Sequence, residues 1–169
     1  MVYIIIVKRN LDFFFILCYN YYSKCERGEI MVIDSFKGKY FFLSNFYESP
    51  VVYEGITYLN NEAAFQAQKT LTNKERLAFA MLNPSQAKKL GRSVSLRPDW
   101  EDIKIDIMYN ICKAKFTQNE TLKTNLLKTG DATLIEGNTW GDRIWGQVNG
   151  VGENNLGKIL MRIREELRD

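Results

Sequence analysis

The sequence predicts a single helix-rich α+β domain with a small antiparallel sheet, and three observations support this class. Hydrophobic residues make up 46% and charged residues 25% of the 169-residue chain, which is the composition of a globular protein with a core. Two short runs rich in β-branched and aromatic residues flank Glu54-Gly55, the pattern of a β-hairpin. In the C-terminal half, apolar residues recur every three to four positions, which is the helical period.

The first thirty residues differ from those that follow. Residues 1–30 are dense in Ile, Phe and Tyr, but their longest apolar run (13–18) is too short to span a membrane, and no small-residue cleavage site follows it. Residues 26–29 can be encoded by a ribosome-binding sequence just before the Met31 codon. We therefore expect residues 1–30 to be a non-native upstream extension or a disordered segment, and residues 31–169 to form the domain of a bacterial protein.

Local signals define the elements that come next. The aromatic-rich segment 32–42 predicts a short strand, and residues 48–50 predict a turn. The hairpin then covers residues 51–58. Asn60 or Asn61 is expected to cap the following helix, because an Asn side chain can accept a hydrogen bond from a free N–H group of the first turn.

Helices dominate the remainder of the chain. Asn73 opens a helix predicted to reach Leu82, and Pro84 and Gly91 bound a short one. The longest helix begins after Asp99. The apolar residues expected to face the core from the helix after Asn73 and from the longest helix are Leu77, Ala78 and Met81, and Trp100, Ile103, Ile107, Ile111 and Ala114.

The C-terminal part adds two helices, a strand and a loop. A helix is predicted from Asn119 to Gly130, a strand over 133–136 and a loop over 137–146. The last helix covers 153–167. Its residues predicted to face inward are Leu156, Ile159, Leu160, Ile163 and Leu167.

Composition limits the chemistry that is available. The chain has no His, which excludes Ser–His and Cys–His pairs and the commonest general base. Its 23 Lys and Arg against 20 Asp and Glu are too balanced to indicate a nucleic-acid binder. Cys18, Cys25 and Cys112 match neither a zinc site nor a disulfide framework, so we expect a reducing, cytoplasmic compartment and a packed thiol at Cys112. No metal, cofactor or membrane partner is expected.

The helix that starts at Asn60 carries a polar set on one face. Glu62, Gln66 and Lys69 are spaced by four and three residues, so they point the same way. A solvated surface ladder would explain them, and so would an acid, an amide and an amine that converge on a ligand. Spacing alone leaves both interpretations open.

Two loops combine polar and aromatic residues. The first includes Asn45 and Phe46, and the second holds Trp140, Gly141 and Asp142. A Trp in a Gly-rich loop offers a flat stacking surface, and small residues let the backbone approach a ligand. The alternative is a tight turn with one Trp packed in the core.

The start of the last helix is a weaker candidate. Asn154, Asn155 and Lys158 lie where free N–H groups and a cation could hold a phosphate. The pattern is neither a Walker motif nor a dinucleotide fingerprint, so it indicates little by itself.

Eight strings of residues resemble the NADAR, or YbiA-like, family. They include Asn-Glu-Ala-Ala-Phe-Gln-Ala-Gln-Lys at 61–69 and Ile-Glu-Gly-Asn-Thr-Trp-Gly-Asp at 135–142. The others lie at 42–51, 87–92, 97–100, 113–119, 126–131 and 154–161. The resemblance covers nearly all of 36–167. Many family members carry His after the helix glutamate, where this chain has Ala63, so that His has no role here.

The resemblance implies an N-glycosidase that hydrolyses a ribose C1–N bond. Two substrate classes are associated with the family: phosphorylated ribosylamino-pyrimidine intermediates of riboflavin synthesis, and ADP-ribose linked to guanine in nucleic acid. The alternative from another class is a catalytically silent module that binds ADP-ribose or a nucleotide. An intact set of Glu62, Lys69 and Asp142 favours the enzyme, because a binding module need not keep all three.

The resemblance also assigns residues to roles. Cleavage builds positive charge on the ribose, so a carboxylate and an acid are needed, and Glu62 and Asp142 are the natural pair. Lys69 either forms a Schiff base or holds a phosphate. The residues expected to bind substrate are Asn45, Phe46, Gln66, Trp100, Trp140, Gly141, Asn154, Asn155 and Lys158, with Arg92 as a further candidate.

The expected start at Met31 can be tested on protein expressed from its native gene. N-terminal sequencing should yield Met31 or Val32 as the first residue. Detection of any peptide from residues 1–30 by mass spectrometry would contradict this expectation.

Overall fold

A computed structural model describes residues 31–168, and the expected upstream extension lies outside this range. The elements that it contains confirm the helix-rich α+β class. In chain order they are β1 (Val32–Ile33), a 3₁₀-helix (Gly38–Leu43), β2 (Glu48–Tyr53), β3 (Ile56–Asn60), α1 (Asn61–Ala67), α2 (Asn73–Leu77), α3 (Pro84–Leu90), α4 (Trp100–Gln118), α5 (Glu120–Leu127), β4 (Thr133–Leu134) and α6 (Asn155–Glu166).

Strands β2 and β3 form the predicted antiparallel hairpin. Its two-residue turn has Glu54 at φ 48° and Gly55 at φ 77°, and these left-handed values match the twist of the flanking strands. The turn predicted at 48–50 is wrong, because β2 already begins at Glu48. The pairing register shifts between Glu48 and Val51, where Pro50 lacks the N–H group that a regular ladder requires.

The short strand predicted within 32–42 is present as β1, but it does not include the aromatic residues of this segment. Val32 and Ile33 form the strand, and they pair in parallel with Thr133 and Leu134 of β4. Gly38 has φ 53°, a value that ends any extended run, and the aromatic residues after it lie on the 3₁₀-helix. Their apolar character marked a buried segment but not its conformation.

Helix α1 lies at the centre of the fold. Asn60 caps it as predicted, since its Oδ1 accepts from Ala63 N at 2.8 Å while its Nδ2 donates to Leu82 O at 2.9 Å. All seven residues of α1 are buried. The helix packs against α3, α4 and both strands of the hairpin, so every face of it meets another element or the cleft described below.

The helix predicted after Asn73 is shorter and buries different residues. A capping box formed by Thr72 and Glu75 starts α2, which ends at Leu77. Leu77 is 58% and Met81 75% exposed, and Ala78 is exposed as well, so the predicted buried stripe is wrong. The chain turns after α2, and this breaks the helical spacing on which that stripe depended. Phe79, within the turn, is buried instead.

Helices α4 and α6 pack on each other and supply most of the remaining core. The predicted inward positions Trp100, Ile107 and Ile111 are buried on α4, whereas Ile103 and Ala114 are only partly covered. On α6 the predicted Leu156, Ile159, Leu160 and Ile163 are buried, and Leu167 is partly covered. Within residues 31–168, no helix is long and apolar enough to cross a membrane.

The Asn60 cap of α1 should contribute more to the free energy of unfolding than a helix cap usually does. Asn60→Ala removes the bond to Ala63 N and also leaves the carbonyl of Leu82 unpaired, so we expect the free energy of unfolding to fall by about 2 kcal/mol. Asn119→Ala is the matched control, because Asn119 caps α5 through one bond to Leu122 N and should cost about 1 kcal/mol. Urea unfolding of both variants measures the difference, and equal losses would contradict the expectation.

Candidate active site

A cleft of about 740 Å³ opens beside α1. Glu62, Gln66 and Lys69 all line it, so the polar face of the helix meets the cleft rather than bulk solvent. The loop after the 3₁₀-helix contributes Asn45 and Phe46. The other lining residues that concern the site come from α3, the first turns of α4 and the loop after β4: Lys88, Lys89, Arg92, Trp100, Lys104, Glu136, Trp140, Asp142 and Trp145.

Glu62 is a buried carboxyl group at the floor of the cleft. It is 7% exposed, and its Oε1 accepts a hydrogen bond from Gln66 Nε2 at 2.9 Å. Burial raises the pKa of Glu62, and the Gln66 bond together with the charges of Lys88 and Lys69 opposes that rise. The charge of Asp142 adds to the effect of burial, so the pKa of Glu62 is raised overall, and the groups that bond or attract its anion limit the rise.

Gly91 determines where the Gln66 amide lies. A Cβ atom at position 91 would collide with Oε1 of Gln66, so a side chain there would displace the Gln66 amide. Oε1 of Gln66 is buried without a partner among residues 31–168, and the Gly91 carbonyl accepts from Lys69 Nζ at 3.2 Å. The end of α3 thus orients both polar neighbours of Glu62.

Lys69 is partly buried between polar and aromatic groups. Its Nζ lies 5.8 Å from the centroid of the Trp100 ring. Burial lowers the pKa of Lys69, and the charge of Glu62 opposes that shift. Trp100 is buried and packs on Phe65, with ring centroids 5.0 Å apart, so it forms a wall of the cleft rather than a mobile stacking surface.

Asn45 is held in place by its neighbours. Its Nδ2 lies 3.2 Å from Met108 Sδ, its Oδ1 accepts from Asn61 Nδ2 at 3.4 Å, and its carbonyl accepts from Glu62 N at 3.1 Å. The residue therefore joins the loop to the start of α1. Phe46, the next residue, faces the cleft with Lys88 Nζ 5.6 Å from its ring centroid.

Lys115 also holds in place the loop that contains Asn45 and Phe46. It is 1% exposed and donates to the carbonyls of Phe42 at 2.7 Å and Ser44 at 2.9 Å. Burial lowers its pKa to about 8. Sequence reasoning missed this residue, although a lysine four positions after the buried Ile111 of α4 was an available signal.

The loop from 137 to 146 brings a carboxylate and a tryptophan to the cleft. Asp142 Oδ1 accepts from the backbone N–H groups of Ile144 at 3.0 Å and Trp145 at 2.9 Å. Trp145 packs edge-on against Phe65, whereas Trp140 is 59% exposed where it lines the cleft. Trp145 is thus partly covered by packing, and the stacking role of Trp140 stays a prediction. Gly141 has φ 89° but does not line the cleft.

The structure does not bring Asn154, Asn155 or Lys158 to the cleft. Asn154 has φ 54°, and its side chain joins Leu134 O at 2.9 Å to Glu136 N at 3.0 Å. Its polar atoms are thus used to hold β4 against α6. Lys158 is exposed and does not line the cleft, and Asn155 donates to the carboxylate of Glu153.

Cations line the cleft elsewhere. Six of them contribute to its surface: Lys37, Lys69, Lys88, Lys89, Arg92 and Lys104. Of these, sequence analysis had singled out only Lys69 and Arg92. The run that holds Lys88, Lys89 and Arg92 places three cations at the C-terminal end of α3, where they also complement the helix dipole. That structural use explains their presence on the helix but not their convergence on the cleft.

Glu136 is a further lining residue that sequence reasoning assigned only to a strand. Burial raises its pKa to about 7, and the nearby carboxylates of Asp142 and Glu62 add to the rise, while Lys88 opposes it. One signal could have identified it. Polar groups that follow the carboxyl end of a parallel strand often face a ligand site, and Glu136 comes two residues after β4.

Two further observations concern sulfur and metal chemistry. Cys112 is a buried free thiol whose pKa burial raises to about 12, as expected for a packed side chain. Among residues 31–168, no group of three His, Cys, Asp or Glu side chains has the geometry to hold a metal ion.

Comparison with known proteins gives consistent matches. Residues 33–168 match the NADAR domain family. N-glycosidase YbiA of Shigella flexneri is 41% identical over 128 residues, which cover 73% of this chain and 79% of that protein. A riboflavin biosynthesis protein of Vibrio vulnificus is 38% identical over 76% of this chain and 36% of its own length. The NMR structure of Escherichia coli YbiA superposes with a TM-score of 0.72 at 38% identity, over 82% of this chain and 84% of that one.

The contact between Gly91 and Gln66 yields a prediction about Glu62. Gly91→Ala should push the Gln66 amide away from Glu62, and because that hydrogen bond lowers the pKa of Glu62, its loss should raise the pKa further. Position 91 has φ −62°, so Ala adds no backbone strain. A ¹³C NMR titration of the Glu62 carboxyl measures the effect.

A double-mutant comparison provides the control. In a Gln66→Ala background no amide remains to be displaced, so adding Gly91→Ala should leave the Glu62 titration unchanged. An equal shift in both backgrounds would mean that Gly91 acts by another route.

Proposed function

Since this chain belongs to the NADAR family, we propose that it is a cytoplasmic N-glycosidase that hydrolyses the ribose C1–N bond of a ribosyl-phosphate substrate. The observation that carries the proposal is the buried carboxyl of Glu62, held by Gln66 and flanked by Lys69 at the floor of the cleft. Names of relatives point the same way, since they include N-glycosidase and riboflavin biosynthesis proteins. We therefore take phosphorylated ribosylamino-pyrimidines of the riboflavin pathway as the first substrate class.

Glu62 fits the requirement for a carboxylate near C1. As the C1–N bond breaks, positive charge builds on the ribose ring, and a fixed carboxylate stabilises it without reorganisation. Burial raises the pKa of Glu62, and the Gln66 hydrogen bond and the charges of Lys88 and Lys69 stabilise its carboxylate form against that rise. Lys69 then serves as a cationic partner of Glu62 and of substrate, which is one of the two roles expected from the sequence.

The cations of the cleft give the phosphate group a binding region. Lys88, Lys89 and Arg92 converge from the end of α3, joined by Lys37 and Lys104. A doubly charged phosphate gains from several cations at once, and a partly enclosed cleft strengthens each attraction relative to bulk water. We assign the phosphate to this region rather than to the start of α6, because the predicted residues there do not line the cleft.

Trp140 and Asn45 are the proposed contacts to the base and the sugar. The ring of Trp140 is exposed at the cleft, so it can stack on a planar base without losing existing packing. Asn45 is held by three neighbours in a fixed orientation, which suits a hydrogen bond to substrate. Phe46 adds apolar surface beside it.

ADP-ribose attached to guanine is the second substrate class. The same C1–N chemistry would apply, and the cations that line the cleft could meet a diphosphate or the nucleic-acid backbone. A module that binds nucleotides without cleaving them is the competing function from another class. The substrate assay below separates all three.

Loss of the Glu62 carboxylate should abolish catalysis and preserve the fold. Glu62→Gln keeps the size and a hydrogen-bonding group, so we expect base release to fall by about 100-fold or more while substrate still binds. Glu120→Gln is the matched control, because Glu120 lies exposed at the start of α5 and should be unaffected. Base release is measured by mass spectrometry and binding by calorimetry.

The purified protein should be offered ribosylamino-pyrimidine 5-phosphate, its dephosphorylated form and DNA with ADP-ribosylated guanine. Release of free pyrimidine from the first, with a KM at least about tenfold higher for the second, supports the proposal and its phosphate region. If the protein removes ADP-ribose from guanine in DNA and does not act on either pyrimidine compound, its substrate belongs to the second class. Binding without release of any base would identify a silent module.

A further inference from the structure

Glu136 has a fixed backbone and a side chain without a structural task. Its N–H donates to Asn154 Oδ1 at 3.0 Å, and its carbonyl accepts from Gln147 N at 2.9 Å. Gly146 approaches so closely that a Cβ atom there would collide with the Glu136 carbonyl. Among residues 31–168, no hydrogen bond holds the Glu136 carboxyl, although it lines the cleft.

The other two carboxyl groups of the cleft are already engaged. Glu62 accepts from Gln66 and lies near the charges of Lys69 and Lys88, all of which stabilise a carboxylate. Oδ1 of Asp142 accepts two backbone N–H groups and so closes its own loop. A proton donor needs neither of these arrangements. It needs a carboxyl that is directed at the substrate and is not bonded as an anion.

We propose that Glu136 is the general acid of this enzyme and donates a proton to the leaving nitrogen, while Glu62, bonded by Gln66, faces the charge that builds on the ribose. The inference rests on the proposed glycosidase function and adds a catalytic residue to it. Two carboxyl groups in one cleft divide the work when their surroundings differ in this way.

The charges that face Glu136 favour the protonated form. Burial is the largest cause of its raised pKa of about 7, and Asp142 and Glu62 add repulsion. The charge of Lys88 opposes this rise. The Cys112 thiol also lies close enough to interact electrostatically with Glu136, which contributes to the raised pKa of that thiol. A carboxylic acid with a pKa near the working pH can both hold a proton at rest and deliver it in the transition state.

The step balances without any further reactant. The C1–N bond breaks and its electron pair moves to nitrogen, which takes the proton of Glu136 and leaves as an amine. Water then bonds to C1 through its oxygen and gives a proton to the Glu136 carboxylate. The products are free ribose phosphate and free base, the net change is the addition of one water, and the enzyme returns to its starting state.

The pH dependence of kcat tests the assignment. In the wild type, kcat should fall as the pH rises through the pKa of Glu136, because the acid must be protonated. Glu136→Gln should lower kcat by about 100-fold or more and remove this alkaline limb. Glu120→Gln should keep both the rate and the limb. An unchanged kcat, or an alkaline limb that persists in Glu136→Gln, would overturn the proposal.

A change of leaving group distinguishes a general acid from a residue with only a structural role. 4-Nitrophenolate can leave a ribosyl 5-phosphate without taking up a proton. Glu136→Gln should therefore cleave this substrate within about tenfold of the wild-type rate. Glu62→Gln should be impaired on both substrates. Equal losses for both leaving groups in Glu136→Gln would reject the role of acid.

Two further measurements test the proposal even if Glu136→Gln does not fold. Glu136→Asp keeps an acid with a lower intrinsic pKa and should move the alkaline limb to lower pH, and an unmoved limb would count against Glu136. A ¹³C NMR titration of the wild type should assign a pKa near neutrality to Glu136. If the wild type releases no base from any substrate, the proposed function itself fails, whereas an active wild type with an unaffected Glu136→Gln refutes only this inference.

Discussion

The burial of α1 along its whole length is the constraint on which the site depends. A buried helix must have its polar side chains satisfied, since an unpaired polar group in a protein interior costs free energy. Asn60 meets this need at the N-terminus by bonding to Ala63 N and Leu82 O. Glu62 and Gln66 bond to each other and open onto the cleft, and Oε1 of Gln66 is left without a partner among residues 31–168. The helix therefore presents a carboxyl group to the cleft with an orientation that the core defines.

Two other elements are adjusted to this helix. Asn45 accepts from Glu62 N through its carbonyl, and Lys115 fixes the preceding carbonyls of Phe42 and Ser44, so the loop has little freedom to move away. At the other end, the glycine at position 91 lets α3 approach until its carbonyl meets Lys69. Buried polar contacts of this kind are rigid when fully paired, and rigidity is what an electrostatically preorganised site requires.

Sequence reasoning predicted what local signals encode. The Asn60 cap, the hairpin turn at Glu54-Gly55 and the faces of α4 and α6 follow from short-range chemistry and periodicity. The stripe after Asn73 was wrong, because a turn of five helical residues is too short for periodicity to define a face. The phosphate residues at 154–158 could not be tested by local pattern, since the role of Asn154 depends on a contact with β4 twenty positions earlier in the chain.

The sequence likewise could not show which carboxyl group has which role. The absence of His limited the expected acid–base work to carboxylates and amines, and this pointed to Glu62 and Asp142 as a pair. The roles within a pair depend on which oxygen atoms are already bonded. Asp142 uses one oxygen to close the loop that carries Trp140, which suits a residue that positions the loop and repels negative charge from its neighbours. The carboxyl of Glu136, which accepts no hydrogen bond from residues 31–168, is repelled by Asp142 and Glu62, and protonation relieves that repulsion.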